Sequence, residues 1–128
     1  MKTNYIDIDE HWGIILIHHF DEWDYDDMEA IMTSFGLRKH KIEHALKVLS
    51  TFNSGMTISN DGLRMSAVFI GNATSDAQWW NSIAHEAVHV SQAILDFYRE
   101  ENWKDETPAY LQGYIFQKIV EEIGVPCR

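Results

Sequence analysis

The pattern of apolar and polar positions predicts strands first and helices afterwards. Residues 5–8 alternate apolar and acidic side chains, and residues 14–20 are β-branched and aromatic, so both segments are predicted as strands. Residues 24–35 carry apolar side chains at helical spacing and are followed by Gly36, a typical C-cap. A second amphipathic helix is predicted for residues 38–50.

A strong hairpin signal follows these helices. The segments 57–59 and 63–70 flank Asn60-Asp61-Gly62, and an Asp-Gly pair supplies the positive φ that tight hairpin turns need. The sequence therefore predicts two paired strands directly before the next helix.

The C-terminal part of the chain predicts two helices. Ser75 and Gln78 match the capping-box pattern and predict the start of a helix over residues 76–98, and a last helix over 106–123 is predicted to end at Gly124. The core stripe predicted for the first of these helices consists of Trp80, Ile83, Ala84, Ala87, Val88, Ser91 and Leu95. Residues 1–128 are therefore predicted as one α+β domain, with a small antiparallel sheet, N-terminal helices and two C-terminal helices.

Charge and composition exclude several classes of protein. Ten basic and twenty acidic residues give a formal net charge of -10, which repels nucleic acid. Cys127 is the single cysteine, so no intramolecular disulfide can form, and the longest aliphatic run, residues 14–17, is too short to cross a bilayer. We expect a cytoplasmic protein without a nucleic-acid or membrane partner, and the sequence leaves its oligomeric state open.

The motif that carries chemistry lies in the predicted helix 76–98. His85-Glu86-Ala87-Val88-His89 matches H-E-x-x-H, and two histidines four residues apart lie on one face of a helix, where both imidazoles reach one Zn²⁺. Glu86 lies beside this face, close enough to take a proton from a water that the ion polarises. The pattern predicts a hydrolytic zinc site.

A catalytic zinc site needs a third protein ligand. Asp96 is on the same face but about 10 Å further along the helix axis than His89, which is too far. The carboxylates beyond the helix are Glu100, Glu101, Asp105 and Glu106. Glu106 is the best placed, because an antiparallel return of the last helix would bring its first turn beside the histidine pair.

A second pattern, His40-Lys41-Ile42-Glu43-His44, matches the inverted motif H-x-x-E-H. It is interpreted as an exposed helix face, because neighbouring lysines and an arginine would repel a divalent cation.

His85-Glu86-x-x-His89 followed by Glu106-Thr107-Pro108-Ala109-Tyr110 resembles the gluzincin metallopeptidases. Within that group the chain is most similar to the very short gluzincins and to the repressor-cleaving proteases of phages and conjugative elements. The resemblance covers about residues 76–116. It implies peptide-bond hydrolysis, a protein or peptide substrate, and a glutamate on the second helix as a zinc ligand.

The resemblance also implies a cleft-lining strand before the zinc helix, and residues 67–70 stand at that place, so a peptide would pair with their edge. Tyr110 and Tyr114 are candidate catalytic residues for stabilising the oxyanion. The chain departs from the larger gluzincins because it has no recognisable C-terminal subdomain. A zinc-dependent peptidase is therefore expected; the alternative is a non-catalytic zinc protein of the same fold that binds a partner peptide.

Overall fold

A computed structural model describes residues 1–98 and 107–124. Its four strands are β1 (Lys2–Asp9), β2 (Trp12–His18), β3 (Gly55–Asn60) and β4 (Met65–Ile70), and its four helices are α1 (Tyr25–Ser34), α2 (Lys39–Leu49), α3 (Asp76–Phe97) and α4 (Thr107–Ile123). These elements confirm the predicted α+β class. No helix within the described ranges has the length and apolar character that a membrane crossing requires.

The four strands form one mixed sheet in the order β1-β2-β4-β3. β1 pairs with β2, and β3 with β4, in antiparallel orientation, whereas β2 and β4 are parallel, with Leu16 opposite Val68. The expectation of an antiparallel sheet therefore holds except for this central pair. The parallel pair arises because the chain crosses over through α1, α2 and β3 before it returns as β4.

The predicted hairpin is confirmed, but its turn differs from the expected one. Positive φ is found at Arg64 (52°) rather than at Gly62, and the loop spans four residues between Asn60 and Met65. The Arg64 amide donates to the Asp61 carbonyl at 3.2 Å, and Asn60 Oδ1 accepts from the Leu63 amide at 3.0 Å. The turn is therefore a four-residue hairpin loop, longer than the expected tight turn, and its last residue, Arg64, has a left-handed backbone conformation.

Helices cover both faces of the sheet. Alternate residues of the central strands point to opposite sides, so Leu16 and Val68 pack towards α3 and α4, whereas Ile17 and Phe69 pack towards α1 and α2. The two faces therefore bury separate apolar clusters. The metal motif belongs to the α3 face.

The buried stripe of α3 differs from the predicted one. Ile83, Ala87, Ser91 and Leu95 are buried as predicted, but Trp80, Ala84 and Val88 are only half-buried. Trp79 is buried instead, and its indole N–H donates to the Gly124 carbonyl at 3.0 Å. The helix is therefore rotated so that its apolar stripe lies closer to Glu86 than the sequence suggested.

A buried histidine ends β2. His18 Nε2 lies 2.7 Å from Asn4 Oδ1, and since an amide oxygen only accepts, Nε2 carries the proton. His18 Nδ1 is then the acceptor for His19 Nδ1. Burial, followed by the nearby charges of His19 and Lys2, lowers the pKa of His18 from 6.5 to about 4. The fold therefore requires the neutral form of this imidazole.

The lowered pKa of His18 predicts an acid-sensitive fold. His18 binds a proton near pH 6.5 in the unfolded chain but only near pH 4 in the folded chain. The free energy of unfolding therefore keeps the full contribution of His18 above pH 6.5 and decreases as the pH falls from 6.5 to 4. The loss amounts to at most about 3 kcal/mol. Urea unfolding of the metal-free protein at pH 7, 5.5 and 4 measures it, and His18→Gln should flatten the profile. An equal flattening by exposed His40→Gln would contradict the assignment.

Candidate metal centre

The candidate site lies on α3, which is stabilised at its start. Ser75 Oγ accepts a hydrogen bond from the Gln78 amide at 3.2 Å, and Asp76 places a negative charge in the first turn. The motif sits in the middle of this 22-residue helix, two turns or more from either end. Its side chains are therefore held on a rigid backbone.

The two histidines of the motif converge as predicted. His85 Nε2 and His89 Nε2 are 3.3 Å apart, and the ring centroids are separated by 5.0 Å. The His85 side chain is 67% exposed, so both the pair and the space in front of it are open to solvent. Two imidazole nitrogens that point at each other from one helix face can bind the same ion.

Glu86 is directed differently from the histidines. Only 3% of its side chain is exposed, and its carboxylate is inserted between α3 and β3. Thr57 Oγ1 donates to Glu86 Oε1 at 3.0 Å, and Glu86 Oε2 lies 3.9 Å from His85 Nε2. The carboxylate is therefore fixed by β3 with one oxygen facing the histidine pair.

Gly55 makes room for this carboxylate. A Cβ at position 55 would lie 2.8 Å from Glu86 Oε2 and 3.1 Å from Glu86 Cγ. Gly55 is the first residue of β3, so the strand passes directly beneath the glutamate side chain. The close approach requires a residue without a side chain.

The surroundings of Glu86 raise the pKa of its carboxyl above the ordinary value. Burial raises the pKa of the carboxyl, while the Thr57 hydrogen bond and the positive charges that His85 and His89 can carry lower it in part. A carboxylate in such surroundings holds a proton more readily than an exposed one, which suits a group that accepts and returns protons.

The three side chains form one cluster. One ligand atom from each of His85, Glu86 and His89 lies within 4.8 Å of the other two, a grouping that could hold a metal ion. No other such grouping of at least three residues occurs within residues 1–98 and 107–124. The predicted third ligand, Glu106, and the neighbouring carboxylates Glu100, Glu101 and Asp105 lie outside the described residues.

The second histidine motif does not form a comparable site. His40, Glu43 and His44 are all exposed on α2, and they are not grouped as metal ligands. Their interpretation as an exposed face agrees with the structure.

The two candidate tyrosines lie on α4. Tyr110 is 74% exposed and Tyr114 is 43% exposed, and the Lys118 ammonium lies 5.8 Å from the centre of the Tyr114 ring. No contact between either phenol and the histidine pair is found within the described ranges. Their catalytic role stays a prediction.

Two residues of the site were missed by sequence reasoning. Thr57 and Gly55 lie some thirty residues before the motif and carry no local pattern that connects them with Glu86. The available signal was indirect, because a hairpin placed just before the motif helix can contribute a strand to its flank.

Comparison with known proteins gives no assignment. No protein-family model, no curated protein and no solved structure matches the chain significantly. The geometry of the site is therefore the basis for the function that follows.

The close fit of Gly55 predicts opposite effects for two glycine substitutions. Gly55→Ala should destabilise the protein by about 1–3 kcal/mol, because the added methyl group displaces the buried Glu86 carboxylate. Gly113→Ala in α4 should stabilise it by about 0.5–1 kcal/mol, since its Cβ would meet nothing within 4 Å and alanine favours a helix. Urea unfolding measures both. A Gly55→Ala protein as stable as wild type would show that Glu86 is not confined.

Proposed function

We propose that the chain is a zinc-dependent metallopeptidase in which His85 and His89 bind the ion and Glu86 is the general base. The observation that carries this proposal is the combination of two converging Nε2 atoms, 3.3 Å apart, with a buried carboxylate held beside them by Thr57. A structural zinc site has no use for such a base.

The spacing of the histidines supports zinc as the ion. Two nitrogens at about 2.0–2.1 Å from a tetrahedral ion lie roughly 3.3–3.4 Å apart. The distance between His85 Nε2 and His89 Nε2 agrees with this value without any movement of the helix. The donor set of two imidazoles and a carboxylate also suits zinc in a catalytic site.

The packing of α4 on α3 supports Glu106 as the third ligand. The Trp80 and Phe116 rings are 6.3 Å apart, and Ala84 and Gly113 line one cavity, so the two helices are antiparallel. Each turn towards the end of α3 is therefore matched by a turn towards the start of α4. Continued in this way, the start of α4 lies level with His89. Glu106 directly precedes that start in the sequence.

The roles of the protein groups follow from their positions. Bound zinc supplies a Lewis acid, which polarises a carbonyl oxygen and makes water a better nucleophile. Glu86 takes the proton of the attacking water through the oxygen that faces His85, and returns it to the amine nitrogen as the peptide bond breaks. Thr57 keeps the carboxylate in place during both transfers.

The strand expected to bind the substrate has to be reassigned. The expectation that a peptide pairs with residues 67–70 is wrong, because β4 is hydrogen-bonded to β2 on one side and to β3 on the other. β3 is the outer strand on that side of the sheet, and Gly55 and Thr57 bring it next to Glu86. We therefore propose that an extended substrate pairs with β3.

The metal assignment predicts one Zn²⁺ per chain. His85→Ala and His89→Ala should each abolish stoichiometric binding, and Glu106→Gln should weaken it, because each removes a ligand. Zinc content after dialysis, measured by elemental mass spectrometry, checks this. His44→Ala and Glu121→Gln, both at exposed positions, are the controls and should keep full zinc. Stoichiometric zinc in the double His85/His89 variant would exclude the site.

The mechanism predicts that Glu86→Gln separates zinc binding from hydrolysis. Glutamine keeps the size of the side chain but cannot take a proton, so hydrolysis should fall by at least about 10² while zinc stays bound. Cleavage of a protein-derived peptide mixture, followed by mass spectrometry at equal zinc content, measures the loss. Unchanged turnover would refute the role of Glu86. Zinc binding without cleavage by wild type would favour the non-catalytic binding protein.

A further inference from the structure

A cavity of about 270 Å³ opens beside the histidine pair on the side of β3. His85 and Glu86 form one wall of it, and the other lining residues are Val48, Asn53, Ser54, Gly55, Asn81 and Ser82. We call it the Asn81 cavity. Its volume lies below the roughly 300–1,000 Å³ of sites for drug-sized ligands, so it suits a single side chain.

The far wall of the Asn81 cavity is rigid. Asn53 Oδ1 accepts from the Thr74 amide at 2.9 Å, and Asn53 Nδ2 donates to Thr74 Oγ1 at 3.0 Å. Ser54 Oγ donates to the Thr51 carbonyl at 2.8 Å. Because these polar groups are already paired within the protein, they define the shape of the cavity. The hydrogen bonds to a ligand would have to come from other residues.

The near wall offers two unpaired polar groups. The side chains of Asn81 and Ser82 have no hydrogen-bond partner among the described residues. Ser82 is only 5% exposed, and it lines the cavity, so a group that enters the cavity can contact it. Both groups can bond to water in the open cavity, and a ligand that replaces this water gains about 0.5–1.5 kcal/mol for each hydrogen bond.

The charges around the cavity restrict what it can accept. Glu86 is the one acidic residue that lines the cavity, and its carboxylate is already held by the Thr57 hydroxyl and His85, so no free counter-charge remains for a lysine or arginine side chain. The Glu86 carboxylate repels an acidic side chain. An aliphatic side chain fits the volume but leaves Asn81 and Ser82 unpaired.

We propose that the Asn81 cavity is a specificity pocket that selects an uncharged amide side chain, asparagine or glutamine, beside the reacting centre. An amide both donates and accepts, so it can pair with the Asn81 amide and the Ser82 hydroxyl together. The position of the pocket next to a scissile peptide bond rests on the proposed function; the side-chain preference rests on the cavity alone.

The preference can be measured without hydrolysis by amino-acid hydroxamates, whose hydroxamate group chelates zinc while the side chain enters the cavity. Calorimetry on the zinc-loaded protein should give about tenfold tighter binding for the Asn and Gln hydroxamates than for the Leu, Lys or Glu hydroxamates, a difference of about 1.4 kcal/mol. Asn81→Leu and Ser82→Ala should each reduce this to threefold or less. Gln78→Met, on the same helix but outside the cavity, should leave it unchanged.

Equal binding of all probes, a preference for the Leu probe, or no binding of any probe would overturn the pocket. Cleavage of a peptide mixture separates the two proposals. If the protein prefers the Asn and Gln probes but cleaves no peptide, the specificity pocket is supported and the peptidase function is contradicted. If the protein cleaves peptides without enrichment of Asn or Gln beside the cleaved bond, the peptidase function is supported and the specificity pocket is contradicted.

Discussion

The rotation of α3 about its own axis is the constraint on which the site depends. Ile83, Ala87 and Val90 are completely buried against the sheet, and this contact leaves the helix one rotational setting. In that setting the two histidines face solvent and Glu86 falls at the boundary, beside β3. A rotation by one residue, about 100°, would either bury the histidine pair or release the carboxylate into water. Hydrophobic packing thus positions the polar chemistry.

Local order could be predicted from the sequence where it depends on neighbouring residues. The histidine pair follows from helical geometry, and the helix ends follow from Ser75 and from Gly36, whose φ is 92°. Interactions between distant segments could not be predicted in this way. The choice between Trp79 and Trp80 for the core depends on the Gly124 carbonyl, 45 residues along the chain from Trp79. The contact of Glu86 with Thr57 depends on the sheet.

The position of β4 in the sheet was the largest difference between expectation and structure, because a free edge was expected for residues 67–70 and both of their edges are paired. Alternation and turn signals identify strands but do not identify their neighbours. One signal was available, since residues 66–70 form an almost unbroken small and apolar run, which is typical of a strand covered on both faces. That pattern places β4 inside the sheet. It also leaves the outer position, and the contact with Glu86, to β3.

The parallel pairing of β2 with β4 has a consequence for how the protein is made. β2 can pair with β1 at once, but its second partner, β4, is made only after α1, α2 and β3, and pairings between distant segments form slowly. The histidine pair needs only a helical turn of α3, whereas Glu86 reaches its place only when β3 lies in the finished sheet. During folding, the two histidines can therefore come together before the Glu86 carboxylate is in place.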